Sequence, residues 1–588
     1  MCSIIGIIGK NFVAPALVES LKRMEYRGYD SVGVATLSTN RISVRKGIGK
    51  VNQVNSNLNL AGMEGLVGIG HTRWATHGGV TDYNAHPHPC CSGDIAVVHN
   101  GIIENYLQLK GELVSKGHLF RSETDTEVIA HLLEDQYNAS RDIKVAMVGT
   151  VNQLEGSYAF VAMFANGTLA CARLDEPLVI GISDNAYYAS SDVLGFLQYT
   201  DQAMFLDNRD IAIMDITGTS IFNFGGEPVA RSVTKVAWEL ADANKGEFAH
   251  YTIKEIFEQR ISIKAATYQE DHKIKAFCDA IVAAGKIVVT GSGTSYHTSL
   301  ITSMLGARVM KKRFEPVMAS EFKYDLDSID KDTVVIAISQ SGETADVLSA
   351  TKLARAAGAK ILSIVNVPTS SLARTADVSL GINSGPEIGV AATKSFTGQV
   401  SLAYAIVDRL SGGRVGFERD VVSDKITKML AGSAGIERLV NMTMPKVNDI
   451  YLLGRSIHFP IALEGALKMK ELAYVHAEGI AAGELKHGPL ALMDKNAVVF
   501  VLNADDKTYS DTLSSAHEVK ARGAKIIGIS NVSNDIYDAM IEIPKMDNEL
   551  LYPLVEIIPL QLFSYYLALH NNADPDFPRN LAKSVTVS

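Results

Sequence analysis

The second half of the chain carries a repeat, and no other feature limits the fold as much. Lys286–Ser292 matches Asp449–Arg455, Asp330–Val335 matches Asp494–Val499, and Gly358–Ile361 matches Gly523–Ile526. The matched segments start 163, 164 and 165 positions apart. A spacing that steady implies two copies of one folded unit, not a single large sheet. From about residue 270, apolar strand-like runs alternate with turns and helical periodicity, the pattern of a parallel sheet flanked by helices. Two doubly wound α/β domains with parallel sheets are expected, over 251–425 and 426–575.

The copies diverge where chemistry is expected. After its strand, the first has Ser339-Gln340-Ser341-Gly342-Glu343-Thr344, and the second has Asn503-Ala504-Asp505-Asp506-Lys507-Thr508. A hydroxyl-rich turn with glycine, opening a helix, offers N–H and O–H groups to a phosphate. An acidic pair repels one. A single phosphate site is therefore expected, in the first copy, with Thr294 and Ser295 of the Gly291–Ser295 turn facing it. Helix capping accounts for one or two such hydroxyls, not for five in two turns. No Gly-Lys-Ser/Thr loop is present, which argues against a nucleoside triphosphate.

The second copy has its own constellation. Glu464, Lys468 and Glu471 fall at i, i+4 and i+7, on one helix face. A solvated ion-pair stripe is the plain reading. Against it, Ala462, Gly465 and Ala466 surround the stripe, and the small-residue loop Ala477–Pro489 that follows carries His487. A carboxylate, an ammonium and an imidazole are the parts needed to open a sugar ring and shuttle its proton.

At 588 residues the chain is too long for one core. Its net charge of −10, without long runs, argues against nucleic acid or an anionic membrane as partner. No run of about 18 apolar residues appears, so no bilayer-spanning segment is expected. The N-terminus lacks a basic region and a cleavage site, so no signal peptide is expected. The cysteines at 2, 90, 91, 171 and 278 are few and irregularly spaced, which fits a reducing cytoplasm.

Residues 2–238 read differently. Strand-like runs at 4–8, 33–37, 65–69, 95–99, 157–164, 168–173, 178–182 and 210–215, with helical periodicity at 13–24 and 125–137, give a strand-rich α+β domain. Polar islands interrupt it: Glu25–Ser31, His71–Gly78, His99–Asn105 and Arg121–Glu127. Each alone could be a turn or a cap. Together they supply what a thiolate attacking a primary amide needs. With Met1 trimmed, Cys2 would carry its thiol beside a free α-amine able to relay the proton. Arg73 can fork onto an α-carboxylate, Asp125 can hold an α-ammonium, and Asn100 with the Gly101 N–H can face the developing oxyanion. The stretch His86-Pro87-His88-Pro89-Cys90-Cys91 invites a metal reading. Prolines hold it extended, and only two of its ligands could easily converge, so a surface loop and no metal are expected.

These islands, in this order behind Cys2, resemble the N-terminal-nucleophile glutaminase domain of the class II amidotransferases. Glu25–Ser31, His71–Gly78, Val98–Asn105 and Ser122–Glu127 are similar to the glutamine–fructose-6-phosphate aminotransferase (isomerising) family in particular. The resemblance implies an αββα sandwich, Cys2 as nucleophile, and Asn100 and Gly101 as oxyanion hole. It implies Arg73, Thr76, His77 and Asp125 as glutamine ligands, with Trp74 closing over the site. Three positions depart from the family: Ser3 beside the nucleophile, Val80 for a usual proline, and the pair Cys90-Cys91. Ser3 must fit beside the bound amide and puts the glutaminase rate in question.

The repeated half resembles tandem sugar-isomerase (SIS) domains, reached through a polar linker at 239–250. Ser339, Gln340, Ser341 and Thr344 match their phosphate motif, and the resemblance adds Val390, Glu464 and Lys468 to the sugar-phosphate set. Ser292 and Ala392 stand where the family often has Cys and Ser. By resemblance, Glu471 moves the proton between C1 and C2, and His487 assists ring opening from a neighbouring subunit, which implies a homodimer. The tail 576–588 matches the family's closing signature. It implies Lys583 as a Schiff-base amine, neutral through desolvation, and Trp74, Ala582 and Val585 along an ammonia channel. Arg579 and Asn580 are expected to anchor this tail, with apolar contacts from Leu581, Val585 and Val587. The implied reaction converts glutamine and fructose 6-phosphate to glutamate and glucosamine 6-phosphate, the first step of hexosamine biosynthesis, with no cofactor. Rival readings are a sugar-phosphate-sensing SIS regulator and another class II amidotransferase. The first would not need Cys2, Glu471 or Lys583. The second would need a diphosphate loop or an ATP loop that the sequence lacks.

Overall fold

The computed structural model describes residues 2–236, 244–443 and 449–586. Two compact units emerge, one of residues up to 236 with 584–586, the other of residues 244–583.

The first unit is built on two antiparallel sheets, of eight and six strands. Ser3–Gly9 lies near the centre of the larger sheet, between Val67–Arg73 and Ala186–Ser190. Ile95–Ile103 pairs with Gly156–Phe164 in the smaller one. Alternation sends Ile4, Ile8, Val67 and Ile69 from one sheet against Ala96, Val98, Val161 and Met163 from the other, a single dry layer between them. Outside the smaller sheet, Val128, Leu132 and Leu133 of the helix Glu127–Ser140 and Met147 of the helix Ile143–Val151 close a second layer. Leu17 and Leu21 of the helix Ala14–Arg23 are buried on the other side. This is the αββα sandwich. Each of the eight strand-like runs overlaps a strand, though 65–69, 168–173 and 178–182 enter theirs only at Val67, Leu169 and Val179. The strand Arg41–Ile48, whose exposed and half-buried residues alternate, escaped the pattern because it carries little apolar signal.

The second unit holds two five-stranded parallel sheets. In the first, the spatial order is Glu315–Met318, Lys286–Gly291, Thr333–Ser339, Lys360–Val365, Val378–Gly381. In the second it is His476–Ala481, Asp449–Gly454, Val498–Leu502, Lys525–Ser530, Ala539–Glu542. Both follow the doubly wound order 2-1-3-4-5, so each has a switch point between its first and third strands, where ligands of such sheets bind. The repeat seen in the sequence is thus a repeat of topology.

One helix, Glu549–His570, is long and apolar enough to meet a membrane-span criterion, which the sequence reading did not anticipate. Of that apolar window 94% is buried inside the unit, and Glu556, Gln561 and Ser564 lie on it fully buried, so it is a core helix. Of the expected linker, 239–243 fall outside the described residues. His250 bonds Tyr565 at 2.9 Å and Lys245 pairs with Asp576 at 3.0 Å, so its later part packs within the second unit. The helix Tyr251–Thr267 runs on through Arg260.

Candidate functional site

In the first unit, strand order brings the polar islands to one end of the sandwich. Ser3 pairs with Thr72, so Cys2 comes beside the Arg73–Trp74 segment. The Cys2 Sγ accepts the Trp74 N–H at 3.2 Å. Burial pushes the thiol pKa up, while the Trp74 hydrogen bond and the Arg73 charge pull the other way. From the opposite sheet, Asn100 Nδ2 donates to the Cys2 carbonyl at 3.0 Å, and Arg27 Nε reaches the same oxygen at 3.3 Å. Gly101 has φ +105°, and a Cβ there would lie 2.0 Å from the Ser157 carbonyl oxygen, so only glycine fits. Asp125 is buried and accepts the Ile103 N–H at 2.8 Å. Arg73 is buried too, its guanidinium spent on the carbonyls of His77, Gly78 and Gly79. Thr76 is exposed, and His77 packs edge-on against Tyr106. The Trp74 ring lies edge-on to Tyr29.

His71 was part of an island but had no assigned role. Burial lowers its pKa to about 3, so the ring is neutral. Its Nε2–H points between the His99 carbonyl (3.0 Å) and Asn100 Oδ1 (3.2 Å), which fixes the Asn100 amide with its NH2 toward Cys2. Ser3 corrects the sequence reading. Alternation along the strand turns it away from the thiol, and its hydroxyl donates to the Met24 carbonyl at 2.8 Å, fully buried. The surface-loop expectation also fails for His86 and His88, which are buried, with His86 stacked on His71 at 4.1 Å. Cys91 alone of that stretch is exposed.

In the second unit, the helix Phe459–Ala473 of the second copy meets the helix Thr294–Leu305 of the first. Glu464 accepts from Thr294 Oγ1 at 3.0 Å and contacts His297 Nδ1 at 2.7 Å. Lys468, fully buried, lies 3.4 Å from Glu464 and 2.5 Å from Glu471. Burial raises the Glu471 pKa, the direction a proton-carrying carboxyl needs. Burial works on Glu464 too, but the Lys468 charge and His297 bring its pKa down. The stripe is therefore no solvated face. His487 is exposed, and no hydrogen bond joins it to these groups among the described residues.

The expected phosphate loop follows the third strand of the first sheet. Ser339 Oγ accepts the Gly342 N–H at 3.0 Å and lies 3.2 Å from Thr344 Oγ1, and Ser341 Oγ accepts the Glu343 N–H. Gln340 accepts the Asn366 N–H through its carbonyl. Gly342 has φ +66°. Thr294 Oγ1 donates to Glu464, and Ser295 Oγ accepts from Gln399 at 3.0 Å.

The tail reaches Lys583 as a partner of Glu387, 2.6 Å away, and of the Gly389 carbonyl at 2.7 Å. The amine is held by a buried carboxylate, where the sequence reading expected desolvation alone. Burial would raise Glu387, but the Lys583 charge and bonds from Lys583 and Ser395 hold its pKa at about 2. Glu255 lies in the same cluster, its pKa raised to about 8 by burial and by the Glu387 charge. Neither was found by sequence pattern, since both stand far from any motif. Val390 is buried and bonds the Asp576 carbonyl through its N–H. Arg579 anchors the tail through a stack on Tyr474, 4.4 Å to the ring centre, and a bond from its N–H to the Tyr474 hydroxyl. Ala582 is half-buried, and Val585, expected to make apolar contacts, is exposed. Within the first unit, Thr586 donates to Glu176 at 2.8 Å. Val587 lies outside the described residues.

Sequence comparison matches a glutamine amidotransferase domain at residues 71–198 and SIS domains at 280–409 and 444–571. Proteins named glutamine–fructose-6-phosphate aminotransferase (isomerising) from Thermococcus kodakarensis, Pyrococcus horikoshii and Aquifex aeolicus are 44%, 43% and 42% identical, over the whole of both chains. The C-terminal domain of a glucosamine-fructose-6-phosphate aminotransferase from Francisella tularensis is similar in structure. It has 31% identity and a TM-score of 0.52, covering 57% of this chain and 99% of that one. A tagatose-6-phosphate ketose/aldose isomerase from Escherichia coli, at 20% identity and a TM-score of 0.51, covers 57% of this chain and 96% of its own, and shares the fold.

Proposed function

The chain belongs to the glutamine–fructose-6-phosphate aminotransferase (isomerising) family, and from that premise we propose the reaction and its residues. Glutamine is hydrolysed at Cys2, and its ammonia is delivered to fructose 6-phosphate, giving glucosamine 6-phosphate and glutamate. The observation that carries the reading is the setting of Cys2: the Trp74 N–H at the sulfur, with the Asn100 amide brought from the opposite sheet. Trimming of Met1 would free the Cys2 amine as proton relay. Asn100, oriented by His71, and Gly101 face the oxyanion. Arg73 exchanges the His77–Gly79 carbonyls for the glutamine carboxylate, Asp125 takes the ammonium, and Thr76, His77 and Trp74 line the bound amino acid.

In the second unit, Ser339, Gln340, Ser341 and Thr344 hold the phosphate at the switch point. Glu464, anchored by Thr294 and His297, positions Lys468, and Lys468 in turn orients Glu471. Glu471 moves the proton between C1 and C2. Lys583 forms the imine with the ketose carbonyl, and the Glu387 carboxylate at 2.6 Å holds its amine in place. An exposed His487 fits a role in the site of a second copy, and we take the enzyme to be a homodimer. All five cysteines are free, as suits a reducing cytoplasm.

Incubation with glutamine and fructose 6-phosphate, assaying glutamate and hexosamine phosphate together, tests the reaction. Cys2→Ala should abolish glutamine-dependent synthesis and leave any hexose-phosphate isomerisation intact. Synthesis from glutamine at the unaltered rate by that variant would remove Cys2 as nucleophile.

A further inference from the structure

The first unit contains a second cluster of reactive side chains, separate from the Cys2 constellation. Cys91 lies on the loop after the strand His88–Pro89, His118 on the connection after the helix Tyr106–Ser115, and His131 and Glu134 one turn apart on the helix Glu127–Ser140. One ligand atom from each lies within 4.8 Å of all the others. The two histidines approach through the same ring atom, Nδ1 to Nδ1 at 3.2 Å. Cys91 Sγ is 3.7 Å from the first and 3.6 Å from the second. Glu134 Oε2 is 3.3 Å from His118 Nδ1 and 3.7 Å from His131 Nδ1. A tetrahedral zinc ion with bonds of about 2.0–2.3 Å to N, O and S sets its ligand atoms about 3.3–3.7 Å apart. Five of the six separations, from 3.2 to 3.7 Å, are close to the edges of that tetrahedron, and the sixth, Cys91 to Glu134, lies within 4.8 Å.

Each ligand is also oriented from behind. His118 Nε2 meets Asp135 Oδ1 at 2.8 Å, and Lys116 holds Asp135 in turn. His131 Nε2 lies 3.6 Å from Glu127 Oε1, an ionic rather than a hydrogen-bonding distance. A carboxylate behind each Nε2 with Nδ1 turned inward is the carboxylate–histidine–metal arrangement. Cys91 Sγ accepts the Leu119 N–H at 3.3 Å. Glu134 is fixed by the N–H groups of Cys91 and Ser92.

We propose that Cys91, His118, His131 and Glu134 form a structural site for a divalent cation of the zinc class. Four protein ligands fill a tetrahedron and leave no position for substrate, so the site is structural rather than catalytic. It joins the Cys91 loop, the connection leading to Asp125 and the helix Glu127–Ser140. The exposed Cys91 gives the ion a route in. The ligands stand 27, 13 and 3 residues apart, too irregular for a metal motif to show in the sequence. The cysteine pair that departs from the family is its one visible trace.

The test uses the full chain, free of any histidine tag, with metal content read by mass spectrometry. The chain should hold about one zinc, and after exchange with cobalt it should show a thiolate-to-cobalt absorption band. Cys91→Ser should lose the band and the stoichiometric metal, while Cys278→Ser, in the other unit, keeps both. Asp135→Asn should keep the band and weaken the metal by about 10- to 100-fold. Circular dichroism checks that each variant is folded, and zinc should raise the melting temperature of the parent but not of Cys91→Ser. A parent protein that takes up neither zinc nor cobalt on titration would overturn the proposal, the two histidines then sharing a proton instead. A cobalt–thiolate band that survives Cys91→Ser would overturn it as well.

Discussion

The two α/β sheets of the second unit have the same strand order and use the switch point in opposite ways. In the first copy, the turn after the third strand is a set of small hydroxyl residues wound tightly by Gly342. In the second, the corresponding turn sends Asp506 inward to His458. That ring is fully buried, 3.0 Å from Asp506 and 2.8 Å from Glu556 of the core helix. Burial would lower the His458 pKa, but the Glu556 charge and the bonds to both carboxylates raise it from 6.5 to about 10. The second crevice is thus closed with an internal ion triad. The same copy instead supplies the helix after its first strand, carrying Glu464, Lys468 and Glu471, to Thr294 and His297 of its twin. The two copies share a backbone order and differ in side chains: one carries a hydroxyl-rich turn, the other contributes charge.

The largest effect is expected where the two copies join. Lys468→Met leaves Glu464 and Glu471 facing each other without the ammonium between them. Removing one partner of a buried charge cluster costs about 3–5 kcal/mol. The variant should melt well below the parent and lose sugar isomerisation, while glutamine hydrolysis by the other unit persists. A Lys468→Met protein of parental stability and isomerase rate would show that the helix stripe is decoration.

Next in size is the closed crevice. Asp506→Asn should cost about 1–3 kcal/mol, since a buried charged hydrogen bond is weakened without a cavity. Fructose 6-phosphate affinity should stay unchanged. The same triad gives a pH signature. The His458 pKa is higher folded than unfolded, so its contribution is full below about pH 6.5 and fades as pH rises toward 10. Thermal melts from pH 6.5 to 10 should decline in the parent, and less in Asp506→Asn. An identical slope in both would separate the decline from this histidine.

Ser341→Asp probes the open crevice. A carboxylate beside a phosphate dianion should weaken sugar-phosphate binding by about tenfold or more, worth about 1.4 kcal/mol. Stability should hardly move, because Ser341 is partly exposed. Calorimetric titration with fructose 6-phosphate reads this directly, and unchanged affinity would empty the turn of its assigned ligand.

Much of this contrast was legible in the sequence, and the part that was not has a physical cause. The repeat offsets announced two copies because strands and turns keep their spacing when a fold is duplicated. Glu464, Lys468 and Glu471 were legible because a helix turns an i, i+4, i+7 spacing into one face. Cys2, Asn100 and Asp125 were legible only as islands of polarity among apolar strands. Their convergence depends on pairing between Ser3–Gly9 and Val67–Arg73, which spacing does not encode. Glu387, Glu255 and His71 went unassigned because their roles come from burial and from partners more than 100 residues away or on another sheet. Ser3 was misjudged for a local reason: the alternation of a strand sets which side of the nucleophile a neighbour occupies. Asp506 was read as repelling phosphate, and it is instead one member of a buried ion triad.

That last correction makes Asp505 the smallest and sharpest test of the comparison. The sequence reading gave both aspartates the task of excluding phosphate from the second copy. The structure separates them. Asp506 is committed to His458, and Asp505 points to solvent, 3.0 Å from the exposed Lys545. A pair of this kind is worth about 0–1 kcal/mol. If exclusion rests on a negative charge at the mouth of the crevice, Asp505→Asn should expose a second, weak sugar-phosphate site, visible as extra stoichiometry in titration. If exclusion rests on the buried triad filling the crevice, Asp505→Asn should leave both stoichiometry and melting temperature as they were. The geometry favours the second outcome, because the hydroxyls and the tight glycine turn proposed to hold a phosphate in the first copy are missing from the second. Neutralising Asp505 restores neither. Extra binding by Asp505→Asn would mean that one surface charge, and not the rebuilt interior, separates the two copies.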